Sequence, residues 1–238
     1  EAVKGGPSLI ATPENTYFMR GSDSDAIPEH TMDNHPGLQS ASALAKRHGV
    51  PILIGSVMVA ASGGKHFNRS VLINASGEIA AFYDKIHLFD AEVGDGPAYQ
   101  ESARVEGGAT ARIAELGDRK IGMTVCYDLR FPYLFRDLAH RGAEIIAVPA
   151  AFTVPTGEAH WHVLLRARAI ENGCFIIAPA QCGTHSGGRK TYGHTLIIGP
   201  WGNIIAEGGN EPGIITAEID LDEIKAVRGK LPSRSEER

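Results

Sequence analysis

The chain has 238 residues, 43% of them hydrophobic, and a formal net charge of −5, which fits a soluble core of one large or two small domains. No basic block suits nucleic acid, and no apolar run approaches the ~18 residues that cross a bilayer, so neither is expected as a partner. The cysteines, Cys126, Cys174 and Cys182, are odd in number and lack a C-x-x-C pair, which argues against a disulfide framework and for a cytoplasmic protein with Cys174 and Cys182 as buried thiols.

Residues 1–6, EAVKGG, read as the tail of a helix, and 8–15, SLIATPEN, as a short strand ending at Pro13 and Glu14. A helix over 38–48 is closed by Gly49. Residues 51–60 form a strand, 62–64 a hairpin turn and 67–73 the return strand. Ser76-Gly77 turns the chain into a strand over 78–86, which carries Lys85. Residues 87–110 read as a long irregular loop, a length that is usually functional in compact domains. Two strands flank Gly117-Asp118, and the second, 121–125, ends abruptly at Cys126. A helix over 133–141 and a buried strand over 145–148 follow. Residues 158–172 form a longer helix, with Trp161, Leu164, Leu165 and Ala169 on one apolar face and Gly173 as its cap. Strands over 175–180, 196–198, 204–207 and 214–219 complete the pattern. HSGGRK, 185–190, reads as a mobile lid or rim. No composition shift or repeat divides the chain, so we read one domain over 1–238, a layered α/β fold.

Three apolar runs deliver one ionisable residue each: Glu14, Lys85 and Cys126. Together they read as converging at one edge of a sheet. Cys126 stands between a strand and a helix start, whose unpaired N–H groups stabilise a thiolate and can bind an oxyanion. The same pattern also fits a buried structural cysteine beside an ordinary Glu–Lys ion pair. No metal is expected. His160 and His162 point about 200° apart on their helix, and no Cys/His cluster has zinc spacing.

In order, PEN, YDKIHLFD and CYDLRFP match the Glu–Lys–Cys blocks of the nitrilase superfamily of carbon–nitrogen hydrolases. The likeness continues through AEIIAVPAAFTVPTGEAHWHVLLRARAIENGCFIIAPAQCG and YGHTLIIGPWGNIIAE. The chain therefore resembles this superfamily over nearly its whole length. Within it the Nit branch is nearest, because Cys126-Tyr127-Asp128 stands where nitrilases carry Cys-Trp-Glu. The resemblance implies a four-layer α-β-β-α sandwich that pairs into a homodimer through residues 158–172 and the segment after Phe131. It also implies a chain truncated at both ends, lacking the family's first strand and most of its first helix.

The function implied needs no cofactor. It is hydrolysis of a non-peptide C–N bond in a small carboxylate-bearing primary amide, releasing ammonia through a cysteinyl thioester, in the manner of a deaminated-glutathione amidase. ω-Amidase, nitrile or N-carbamoyl hydrolysis, or a catalytically silent scaffold, are the alternatives. In the leading reading Cys126 is the nucleophile and Glu14 relays its proton. Lys85 lowers the thiol pKa and binds the oxyanion with the backbone N–H of Tyr127. The resemblance adds Glu101, preferred to Glu92, as a second glutamate. It also puts the substrate carboxylate near Arg130, Phe152 and Thr156. Arg130 fits equally a structural salt bridge with Asp128 or Asp137.

Overall fold

The computed structural model describes residues 1–21, 25–94 and 98–232. Residues 1–6 open not with an α-helical tail but with a single 3₁₀ turn, Ala2–Gly5. After it come β1 (Ile10–Ala11), α1 (Pro36–His48), β2 (Ile52–Ala60), β3 (His66–Ile73) and β4 (Ile79–Asp84). The four strands make one sheet in the order β1-β2-β3-β4, with β1 parallel to β2 and the rest antiparallel. Side chains alternate across a strand. Ile52, Ile54, Val71 and Ile73 accordingly face Leu38, Ala41 and Ala45 of α1, while Leu53, Leu72 and Tyr83 belong to a second core. α1 begins at Pro36, with His35 Nδ1 accepting from the Gly37 and Leu38 N–H groups, and ends at left-handed Gly49.

The segment expected to be irregular contains a ribbon of β5 (Asp90–Ala91) and β6 (Tyr99–Gln100), then a 3₁₀ turn, Glu101–Ala103. β7 (Arg112–Leu116) and β8 (Arg119–Met123) form a hairpin. α2 (Pro132–His140), β9 (Ile145–Ala147), α3 (Val154–Asn172) and β10 (Phe175–Ala178) follow. β8, β9 and β10 run parallel, so α2 and α3 are their crossovers. A hairpin of β11 (Cys182–Thr184) and β12 (Lys190–Tyr192) comes next, then β13 (Leu196–Ile198), β14 (Ile204–Glu207) and α4 (Asp222–Lys230). The second sheet has the order β14-β13-β10-β9-β8-β7. Leu53, Leu72 and Tyr83 of the first sheet share its core with Ile121 and Met123, and with Leu134, Phe135, Trp161 and Leu165 from α2 and α3. The layers are thus α1, first sheet, second sheet, and α2 with α3: the expected α-β-β-α sandwich.

Four expectations are corrected. Residues 214–219 pair with no strand among the described residues; Ile219 and Leu221 pack on the core without a ladder. α3 starts at Val154 rather than at 158, because Pro155 is tolerated in a first turn and Gly157 is there to clear the Tyr192 ring. A Cβ on Gly157 would come within 2.2 Å of that ring. Residues 185–190 form a packed hairpin tip rather than a loose lid, since a Cβ on Gly187 would meet the Gly21 carbonyl oxygen at 2.1 Å. Cys174 is buried, but Cys182 is only half-buried because it lies in the peripheral β11–β12 hairpin.

Candidate active site

Glu14 is set in place by backbone threading. Leu53 O accepts from Thr12 N at 3.0 Å, Thr12 Oγ1 from Gly55 N at 3.0 Å, and Ser56 Oγ from Asn15 N at 2.9 Å. This approach is so close that a Cβ on Gly55 would lie 2.0 Å from Thr12 O. Lys85 follows directly on β4; its N–H donates to Asn68 O at 3.0 Å. Cys126 caps the run that leaves β8, with its N–H donating to Pro149 O at 2.9 Å. Its φ is 50°, a left-handed conformation that costs a non-glycine residue about 1–3 kcal/mol.

That turn is held from behind. Asp128 is fully buried, and its carboxylate accepts from Val125 N (2.8 Å), Tyr83 Oη (2.7 Å), His87 N (3.1 Å) and His87 Nδ1 (2.6 Å). Burial, then the Asp128 carboxylate, pushes the Tyr83 hydroxyl up, so it stays a donor. Buried Arg168 of α3 donates twice to Leu129 O, at 3.1 and 2.8 Å. Cys126–Arg130 is a short 3₁₀ helix, and α2 begins only at Pro132. The N–H groups near the nucleophile are therefore those of the 3₁₀ turn, where Tyr127 is the second residue, and not of an α-helix.

The charged groups form one buried cluster. Lys85 Nζ donates to Glu14 Oε1 at 3.0 Å and to Glu101 Oε2 at 2.8 Å. Asn68 Nδ2 bridges the same two carboxylates, at 2.9 and 3.1 Å. Phe89 N donates to Glu101 Oε2 at 2.7 Å, and Gln181 Nε2 to the Glu14 backbone oxygen at 3.0 Å. Burial alone would raise the Glu14 carboxyl; the Lys85 ammonium, the Cys126 thiol and Asn68 together hold it below the usual range. Burial likewise favours a neutral Lys85, yet Glu101 and Glu14 outweigh it and keep the amine protonated.

The thiol behaves differently from expectation. Lys85 does pull it down, and so does a hydrogen bond from the Ala151 backbone, but burial and the Glu14 carboxylate push it well above the ordinary cysteine range. Two carboxylates and one ammonium leave the cluster at a net charge of −1, and a further buried anion beside them is unfavourable. In the resting site Cys126 is a neutral thiol, hydrogen-bonded to Glu14.

Glu14, Lys85, Glu101, Cys126, Tyr127, Arg130, Phe152 and Thr156 all line one cleft of about 760 Å³, open mouth included. Glu92 is exposed and outside it. Arg130 pairs with neither aspartate. Asp128 is taken up as described, and Asp137 faces Arg141 at 3.3 Å. Instead the Arg130 guanidinium stands 5.8 Å from the Tyr127 ring and 5.6 Å from the Phe152 ring, with His160 Nδ1 at 3.3 Å. The Thr156 hydroxyl lies 2.8 Å from that of Thr153. Sequence reasoning missed Asn68, although buried polar His66, Asn68 and Ser70 alternate along β3 and signal a polar face. It also missed Phe18, Arg20, Phe89 and Tyr99 in the lining, which come from loops and short ribbons, while Arg189 falls in the segment expected as a lid or rim. His160 and His162 do diverge: His162 Nε2 turns to Glu207 Oε1 at 2.9 Å. His194 Nδ1 reaches the same oxygen at 2.9 Å, so the two imidazoles converge, outside the cleft, on one Glu207 carboxylate oxygen, and the three form a cluster of metal-ligand type.

Residues 1–229 match the family model described as carbon-nitrogen hydrolase. The chain is 44% identical over 236 residues to a deaminated glutathione amidase of Synechocystis, covering 98% of this chain and 86% of that one. It is 37% identical over 239 residues to the deaminated glutathione amidase of Homo sapiens, covering 98% and 72%. Among solved structures, the C. elegans NitFhit protein superposes with a TM-score of 0.90 at 31% identity; 99% of this chain is covered and 58% of that one. A mutant amidase from Nesterenkonia, with acrylamide added at its active site cysteine, gives 0.76 at 27% identity, covering 97% and 87%.

Proposed function

The chain belongs to the carbon–nitrogen hydrolase family, and we propose that it hydrolyses a small amide whose acyl side carries a carboxylate, as deaminated-glutathione amidases do. One observation carries this reading: Glu14, Lys85 and Cys126 meet in a buried cluster at the bottom of a cleft that also holds Arg130. Cys126 attacks the amide carbonyl as its proton passes to Glu14. The negative charge that leaves Glu14 reappears on the carbonyl oxygen, where Lys85 Nζ and the Tyr127 N–H receive it. The cluster therefore keeps its total charge through the step. Glu14 then protonates the departing amine, leaving a thioester on Cys126. With deaminated glutathione that amine is cysteinylglycine; with a primary amide it is ammonia. Glu14 next takes a proton from water, which attacks the thioester and frees the acid and the thiol. Glu101, 2.8 Å from Lys85 Nζ, holds the lysine in aim.

Selectivity rests on Arg130, whose planar fork suits a carboxylate and which stands between two aromatic rings, with Phe152 and Thr156 completing the pocket. The test is a kcat/KM panel of deaminated glutathione, 2-oxoglutaramate, a neutral amide of similar length and an aliphatic nitrile. The carboxylates lead by about tenfold or more, and Arg130→Ala erases most of that lead. Cys126→Ala lowers turnover by at least ~10³-fold with the melting curve intact. Best activity on neutral amides or nitriles would overturn the reading, and no turnover of any compound would favour a silent scaffold.

The homodimer belongs to the same proposal. Tyr133 on α2 and Val163 and Ile170 on α3 are exposed apolar side chains, and α2 packs beside α3. A cytoplasmic setting is supported by three unpaired cysteines, one of which has to stay reduced to react. Among the described residues no helix is long and apolar enough to cross a membrane.

A further inference from the structure

We infer that Arg189, on the lip of the cleft, forms a second anion subsite that receives a carboxylate on the amine side of the scissile amide. The inference rests on the amidase reading above and extends it from one end of the substrate to both.

The lining divides by charge. Its inner end holds Lys85 with Glu14 and Glu101. Outside that cluster the described lining residues include Arg20, Arg130 and Arg189 and no carboxylate. A cleft of that sign attracts anions and repels cations. Two of the arginines stand at opposite ends of an aromatic row. Arg130 is 5.8 Å from the Tyr127 ring, Tyr127 is 5.0 Å from Phe89, Phe89 is 5.1 Å from Tyr99, and Arg189 is 5.4 Å from Tyr99. A substrate lying along the row meets a guanidinium at each end, with Cys126 in the same cleft.

Arg189 is half-buried, and among the described residues no carboxylate pairs with it. Its Nε–H is shielded from solvent yet has no hydrogen-bond partner among the described residues. A buried donor left unpaired is costly, and an anionic ligand on the guanidinium edge relieves it. Its position is fixed. His185 N donates to Arg189 O at 2.8 Å, Tyr192 N to Phe152 O at 2.9 Å, and the His185 ring meets Thr191 Oγ1 at 2.6 Å. On the other side, the contact of Gly187 with Gly21 brings the segment of Arg20 against the segment of Arg189. The hairpin thus delivers a prepositioned cation to the mouth, and the chemistry that fits is the terminal carboxylate of a short peptide as leaving group.

The experiment compares deaminated glutathione with its terminal carboxamide, which differ only in the amine-side charge. The wild-type enzyme prefers the free acid by about tenfold in kcat/KM, mostly through KM. Arg189→Met brings the ratio close to one, and Arg189→Lys keeps part of it. Dissociation constants of the same pair on Cys126→Ala protein give the ratio without turnover, so the subsite is read even if hydrolysis fails. The acyl-side preference, measured on primary amides, depends on Arg130 and not on Arg189. Its absence in wild type would sink the functional reading and leave the subsite result standing. Equal losses on acid and carboxamide in both Arg189 variants, or no wild-type preference in either assay, would overturn the subsite.

Discussion

Lys85 lies closer to Glu101, at 2.8 Å, than to Glu14, at 3.0 Å. The ammonium is thus divided between the carboxylate that relays protons and one that does not. Burial and then the Glu14 carboxylate hold the proton on sulfur against the pull of Lys85. The negative charge that matters to the thiol is therefore that of Glu14.

The first prediction follows from the sign of that charge. Iodoacetamide should modify Cys126 slowly at pH 7, with a rate that climbs through the alkaline range. Glu14→Gln removes an anion beside the sulfur, so the thiol pKa falls and labelling at pH 7 accelerates. Turnover in the same variant drops by about 10²–10⁴-fold, because the proton shuttle is gone. Lys85→Met does the reverse to the thiol and slows labelling. Slower labelling of Glu14→Gln than of wild type would contradict the arrangement.

Asn68 touches both carboxylates with one amide group. Its replacement by Ala frees Glu14 and Glu101 to shift, which should lower kcat by about tenfold to a hundredfold with little change in KM. Asn68→Asp adds a second uncompensated anion and should be worse. Steady-state kinetics on the three proteins decide this, and a wild-type kcat in Asn68→Ala would dismiss the bridge as incidental.

Asp128→Ala should be a stability variant as well as an activity variant. It orphans the Val125 N–H and the Tyr83 hydroxyl in the core. At about 1–3 kcal/mol for each buried donor left unpaired, the loss is roughly 2–6 kcal/mol. Tyr83→Phe loses the hydrogen bond to the Asp128 carboxylate, about 1.5–3 kcal/mol, and also the one that Tyr83 Oη accepts from Ile86 N at 3.2 Å. Urea unfolding curves measure both, and a cost under ~1 kcal/mol for Asp128→Ala would mean that the turn at Cys126 is held by something else.

Sedimentation at micromolar protein should give a dimer for wild type. Val163→Glu with Ile170→Glu should give a folded monomer, because each puts a charge on an apolar face of α3. A wild-type monomer would remove these helices from an interface.

Much of the site was legible because catalysis uses residues at the ends of apolar runs. Glu14, Lys85 and Cys126 each terminate a strand-like segment, and a strand's end is fixed by its pattern. Glu101 was reached only by family likeness, since the ribbon that carries it shows no periodicity. Asn68 and Asp128 were hidden because their roles depend on partners far along the chain: Glu14 is 54 residues from Asn68, and Tyr83 is 45 from Asp128. The fold was legible where alternation met a partner, as in Ile52, Leu53 and Ile54. It misled at 214–219, where alternation exists without a neighbouring strand. At Gly157 the local signal for a loop lost to the demand of the Tyr192 ring for space. The thiol pKa was misjudged for a related reason: a lysine near a cysteine is visible in a motif, but the burial of the sulfur and the nearness of Glu14 are not.

A nucleophile kept neutral and buried has a further consequence in an oxidising episode. Peroxides react with thiolates, and susceptibility follows both thiolate character and exposure. Cys126 lines the open cleft, but burial and then the Glu14 carboxylate push its thiol up, so it does not offer peroxide the standing charge that makes a redox sensor. Half-buried Cys182 is the more accessible sulfur, yet burial and then Glu211 push its thiol up as well. Neither sulfur offers peroxide a standing thiolate, so sulfenic acid formation should be slow at both, and the enzyme should outlast cysteine hydrolases that keep one.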